Sequence, residues 1–144
     1  MPRIIETESL IPVVAALAQE ACYELRDVYV DSLRKAAERE ASPYGAEILR
    51  VLVKNAEYAK KERMPCCQDT GFCVVFMEIG QEVSWKGRGL FDAVNEGVRR
   101  GYIQGYLRKS IVTDPFTRLN SNDNTPAVLH TEITEGDKVV IKLM

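Results

Sequence analysis

Apolar residues return every three or four positions along much of the chain, and the expected element changes wherever that period gives way to a continuous or alternating run. Ser9 reads as an N-cap with Pro12 in the first turn, where a missing N–H costs little. Val14, Leu17, Ala18, Ala21, Leu25, Val28 and Leu33 then keep the helical period, which predicts one amphipathic helix ending near Glu40. Cys22 falls inside it and reads as packing material, since an unoxidised cysteine behaves as a small hydrophobe. Ser42-Pro43 repeats the start signal, and Ile48, Leu49, Leu52, Val53, Ala56 and Ala59 form the stripe of a second helix. Lys60, Lys61 and Arg63 suit the negative end of its dipole, and Pro65 stops it.

Phe72 to Ile79 is nearly continuously apolar, rich in β-branched and aromatic residues and bounded by Gly71 and Gly80, so it reads as a buried strand. Gln81 to Gly89 reads as a loop, and Lys86-Gly87-Arg88-Gly89 within it matches phosphate-binding patterns too poorly to be more than a turn. Leu90 to Arg108 returns to the helical period in spite of Gly97, Gly101 and Gly105. These glycines share one face and each costs helix stability, which predicts close approach of another backbone there.

From Ser110 to Pro126 the chain is irregular, with Asn120, Asn122, Asp123 and Asn124 crowded together as residues that close turns through their own side chains. Val128 to Thr134 and Lys138 to Met144 alternate around Glu135-Gly136-Asp137, which predicts a hairpin. The fold class expected is α+β, with helices packed on a small mixed sheet in the order α-α-β-α-β-β. Residues 1–144 are read as a single domain that forms part of a larger one. The last strand reaches Met144 without a polar tail, so the expectation is that the natural polypeptide continues.

Composition narrows the partners. With 144 residues, 46% of them hydrophobic and 28% charged, the chain suits one soluble globular domain. A net charge of −2 leaves no basic excess for phosphates, which argues against nucleic acid. No apolar run approaches the roughly 20 residues that a membrane-spanning helix needs, and Met1 to Glu8 lacks the basic and apolar regions of a secretory signal. A cytoplasmic protein is expected, and there clustered cysteines point to metal or redox chemistry more than to disulfides.

Three of the four cysteines, Cys66, Cys67 and Cys73, fall between Met64 and Val75. Their spacing is not that of a zinc finger, and adjacent side chains such as Cys66 and Cys67 should not easily ligate one ion. Cys73 lies in the apolar run and reads as a core thiol. His130, the only histidine, sits on an expected strand and offers weak support for a cysteine nucleophile. One thiolate contributing to a metal centre completed elsewhere is the better proposal, with a zinc site of Cys66, Cys67, Cys73 and His130 as the weaker one.

Pro65-x-Cys67-Gln68-Asp69-Thr70-Gly71 resembles the Cys-Gln-Asp-Thr-Gly signature of the iron-sulfur hydro-lyases, the class I fumarases and L-tartrate dehydratase alpha subunits. Leu107-Arg108-x-Ser110, Asp114-Pro115, Arg118-x-Asn120 and Asp123-Asn124-Thr125-Pro126-Ala127-x-x-His130 follow in that family's order, so the resemblance covers nearly the whole chain. Where the family has Thr-Gly this chain has Ser121-Asn122, and asparagine is the residue after glycine that best accepts left-handed backbone. Family alpha regions continue beyond this length, supply further cysteines and work with a beta region, which marks this chain as the N-terminal part of an alpha subunit or alpha region.

The resemblance implies a 4Fe-4S cluster held by three cysteines, with one iron open to a dicarboxylic acid substrate. Cys67 would be the cluster ligand in this chain. Gln68, Asp69 and Arg108 would bind substrate, with Asp69 also a catalytic candidate for proton handling. Thr70, Gly71, Asn120, Asn124 and Thr125 would support the active-site loops. The implied activity is reversible hydration of fumarate to L-malate, with L-tartrate dehydration as the alternative. The implied partners are a beta subunit or C-terminal region within an oligomer, and the isolated chain is expected to be an inactive assembly module.

Overall fold

In a computed structural model, which describes residues 2–68 and 70–144, the apolar run after the cysteines is the middle strand of a three-stranded sheet. The elements are β1 (Arg3–Glu6), a single 3-10 turn (Thr7–Ser9), α1 (Leu10–Tyr23), α2 (Asp27–Arg39), α3 (Pro43–Glu62), β2 (Val74–Gly80), β3 (Val83–Lys86), α4 (Leu90–Gln104), β4 (Val128–Thr134) and β5 (Val139–Leu143). The class is α+β. Two compact units divide the chain, one of Met1–Gln19 with Asp69–Met144 and the other of Glu20–Gln68.

In the first unit β2 pairs parallel with β4 and antiparallel with β5, giving the order β4-β2-β5. The expected hairpin of the last two strands is therefore corrected, because they flank β2 instead of pairing with each other. The cause is the apolar content of β2. Its residues Val75, Met77 and Ile79 are buried together with Cys73, and so apolar a strand is best satisfied with both edges hydrogen-bonded. The Glu135-Gly136-Asp137 turn instead arches over the end of β2, where Gly80 N–H donates to Lys138 O and Gln81 N–H to Thr134 O. A Cβ on Gly80 would collide with the Gly136 carbonyl, so only glycine lets the turn pass.

The other sequence expectations fare differently. The glycine face of α4 meets a backbone as expected: a Cβ at Gly97 would lie 2.6 Å from Val14 Cβ and one at Gly101 2.8 Å from Ala15 O, both on α1. Leu10, Val14, Val94 and Val98 join the sheet residues in the core of this unit. Part of the expected loop at Gln81 to Gly89 is a strand, β3, which pairs parallel with β1. After β3 the chain bends at Gly87 and Arg88, where Thr7 Oγ1 lies within hydrogen-bond distance of Lys86 O and Arg88 O and Arg88 pairs with Glu8 at 3.3 Å.

In the second unit the expected first helix is two, since the chain breaks between Tyr23 and Asp27. Leu25 turns in against Val30, Val53 and Ala56, the cluster that joins α2 and α3. The start of α3 follows its sequence signal, with Ser42 Oγ accepting from Gly45 N at 3.3 Å and Pro43 first in the helix. It ends at Arg63 in left-handed conformation, φ 51°.

Candidate functional site

The cysteine turn begins where α3 stops. Arg63 reverses the chain, Met64 N–H donates back to Ala59 O, and Cys66 is then held from two sides. Its N–H donates to Cys22 O, in the last turn of α1, at 2.9 Å. Its own carbonyl accepts from Asn55 Nδ2 at 2.9 Å, and the same amide lies 3.3 Å from its thiol. Cys66 packs on the Val30, Val53 and Ala56 cluster, whereas Cys67 and Gln68 are exposed. Asn55 was given no role by sequence reasoning. A polar amide inside an apolar helix stripe was the available signal.

Within the first unit the motif segments converge on Asn124, which is 0% exposed and left-handed at φ 59°. Its Oδ1 accepts from Ser110 N at 2.6 Å and Ile111 N at 3.0 Å, while its Nδ2 donates to Gly71 O at 3.3 Å. One buried amide thus joins the end of the Cys-Gln-Asp-Thr-Gly stretch to the segment that follows Arg108. Asn120 holds the other side of that segment, donating from Nδ2 to Lys109 O at 2.9 Å. Ser121 N–H donates to Ile111 O and Thr113 N–H to Leu119 O, so residues 109–113 lie pinned along 119–122. Asn122 is left-handed at φ 64°, a conformation that asparagine accepts more readily than other residues bearing a Cβ.

A charged lock supports this knot. Arg99 on α4 spans Glu96 at 2.6 Å and Asp123 at 2.9 Å, and Asp123 Oδ1 also accepts from Thr125 N and Thr125 Oγ1. Burial pushes the Asp123 carboxyl up, but the bonds from Arg99 and Thr125 outweigh it and hold it below the ordinary carboxylate range. Bonds from Arg100 and then Arg99 likewise lower Glu96. Asp123 was expected to close a local turn and does so through Thr125 N, but its pairing with Arg99 was not foreseen, because it joins positions 24 residues apart.

Arg108 and Thr70 are exposed, Gly71 and Thr125 are half-buried, and Asp69 lies outside the described residues. Cys73 is 1% exposed in the core, and His130 stacks on Phe76 with ring centroids 5.0 Å apart on the open sheet face. Among the described residues no three His, Cys, Asp or Glu side chains gather to hold a metal ion. Of the four cysteines Cys67 alone is exposed, so its thiol is the soft donor most open to a metal centre.

The family described as Fumarate hydratase (Fumerase) matches residues 11–144. An anaerobic class I fumarate hydratase of Escherichia coli K12 is 28% identical over 137 residues, 93% of this chain and 25% of that protein. Fumarate hydratase 2 of Leishmania major is 34% identical over 107 residues, 72% of this chain and 19% of that protein. The L(+)-tartrate dehydratase subunit alpha of Escherichia coli O157:H7 is 27% identical over 138 residues, 93% of this chain and 45% of that protein. The chain thus spans less than half the length of each of these relatives.

Proposed function

The chain belongs to the fumarate hydratase (Fumerase) family, and on that premise we propose that it is part of the alpha region of an iron-sulfur fumarate hydratase. The reaction is the reversible trans addition of water to fumarate, giving L-malate. The observation that supports this reading best is the Asn124 knot, which joins Gly71 to Ser110 and Ile111 and so ties together two of the segments that carry the family signature.

In this reading Cys67 is one ligand of a 4Fe-4S cluster whose other cysteines lie in a longer chain. When bound, such a cluster would supply Lewis-acid chemistry toward the substrate hydroxyl. Arg108 grips a substrate carboxylate through both oxygens, a task for which the planar guanidinium is suited. Gln68 hydrogen-bonds the dicarboxylate through its amide, and Asp69 is the candidate for substrate binding and proton handling. Asn120 and Asn124 hold the backbone after Arg108, so that the arginine approaches from a fixed base. A beta subunit or C-terminal region completes the site within an oligomer. No helix among the described residues is long and apolar enough to cross a membrane. A cytoplasmic enzyme is part of the proposed reading.

L-tartrate dehydration is the second reading, favoured by the similarity to a tartrate dehydratase alpha subunit. The test is anaerobic reconstitution of the complete enzyme, assayed on fumarate and on L-tartrate. Turnover of fumarate is expected. Turnover of L-tartrate alone moves the assignment to the second reading, and turnover of neither acid overturns both. The isolated 144 residues should show no activity, and a stable, active cluster on them alone would overturn the view of this chain as an assembly module.

A further inference from the structure

We propose that Asn55 is a positioning residue of the metal-binding turn, which selects the one of two adjacent cysteines that is presented outward. The proposal rests on the reading of Cys67 as a cluster ligand given above. Asn55 stands in the interior of α3, where asparagine is a poorer helix former than alanine, so its presence calls for a contact that repays it. That contact is Cys66, eleven residues along, whose carbonyl and thiol both meet the Asn55 amide.

With the N–H of Cys66 bound to Cys22 O, every hydrogen-bonding group of this residue is engaged. The carbonyl held by Asn55 belongs to the peptide that joins Cys66 to Cys67. Fixing it stops the rotation that would exchange the two thiols, and leaves Cys66 against Val30, Val53 and Ala56 with Cys67 exposed. A chain with two neighbouring thiolates and one place for a ligand needs such a device, because either sulfur is chemically competent to bind iron. The clamp thereby excludes the wrong register.

The full chain, reduced and anaerobic, is treated with limiting iodoacetamide, quenched, digested and sequenced by mass spectrometry to give the ratio of labelling at Cys67 to that at Cys66. Wild type should label mainly at Cys67. Asn55→Asp keeps the side-chain volume but removes the donor, and Asn55→Ala removes the reach altogether. Loss of an ordinary hydrogen bond should lower the ratio by about three- to tenfold. Asn55 is exposed, so neither change should unfold α3, and circular dichroism and melting check this. If the alanine variant fails to fold, the aspartate variant decides.

Equal labelling in the wild type, or a smaller change in a folded variant, overturns the clamp. In the complete enzyme, iron content and paramagnetic resonance after reconstitution should show less cluster on Asn55→Asp than on wild type. Equal retention alongside a shifted labelling ratio overturns the link between clamp and metal. Absence of a cluster from the wild-type enzyme removes the function read above, and labelling, which needs no iron, still judges the clamp.

Discussion

Replacing Asn124 by alanine should be among the most damaging single changes in the first unit. The side chain is wholly buried, and its loss strands the N–H groups of Ser110 and Ile111 together with the Gly71 carbonyl. Each stranded donor costs about 1–3 kcal/mol, so the two donors alone set a loss of about 2–6 kcal/mol. Alanine at φ 59° adds roughly 1 kcal/mol, because its Cβ crowds the following carbonyl in left-handed backbone. Even the low end, about 3 kcal/mol, is a large part of the 5–15 kcal/mol that typically holds a domain together.

Trp85, the chain's one tryptophan, lies in β3 beside the sheet core and reports on this unit alone. Urea denaturation followed by its fluorescence should show the midpoint fall by about 1 M or more, given slopes of roughly 1–3 kcal/mol/M. Asn124→Gly separates the two causes, since glycine accepts the backbone angle but makes none of the bonds. It should remain nearly as unstable as the alanine variant. A glycine variant with wild-type stability would refute the hydrogen-bond argument and leave backbone strain as the whole effect.

Gly97→Ala should lower the melting temperature although alanine is about 1 kcal/mol the better helix former, because the new methyl meets Val14 at 2.6 Å and overpacking costs about 1–3 kcal/mol; a higher melting temperature would count against the close packing. Asp123 has a lowered folded pKa, so its contribution to stability is present above its ordinary value of 3.8 and is lost as pH falls through the lower folded value. Asp123→Asn should accordingly flatten that part of the acid-denaturation curve, and an unchanged acid limb would show that the lock contributes nothing. In the complete enzyme Cys67→Ser should abolish cluster retention while Cys66→Ser should not, as read by iron content and paramagnetic resonance; equal loss from both would undo the assignment of the ligand.

Local signals carried a long way here. Ser42-Pro43 marks the start of α3 because the cap and the first turn are settled by neighbouring residues, and the glycine spacing of α4 foretells a close backbone because nothing else repays its cost. The break between α1 and α2 carries no such mark. Leu25 and Val28 keep the helical period, and the chain turns because Leu25 packs on α3 and because the Cys22 carbonyl binds Cys66.

The hairpin expectation failed for a related reason. Glu135-Gly136-Asp137 is a good local turn, but local chemistry does not say whether a third strand will lie between the two it connects. At the site, the cysteine spacing pointed to a single loop thiol and the family resemblance chose Cys67, while the Arg99–Asp123 pair joins positions on separate elements and the Asn55–Cys66 contact depends on how the turn after α3 folds back on that helix.

The central place of β2 also fixes an order of events in time. Both of its neighbours lie more than fifty residues away in sequence, so neither edge can zip up from a local turn, and each pairing must first close a long loop. The α2–α3 pair and the Asn55–Cys66 contact need only short loops. Helical signal should then develop before Trp85 fluorescence settles in a refolding experiment. The turn that presents Cys67 is accordingly a fast-forming part of the molecule, set in place while the sheet is still being assembled.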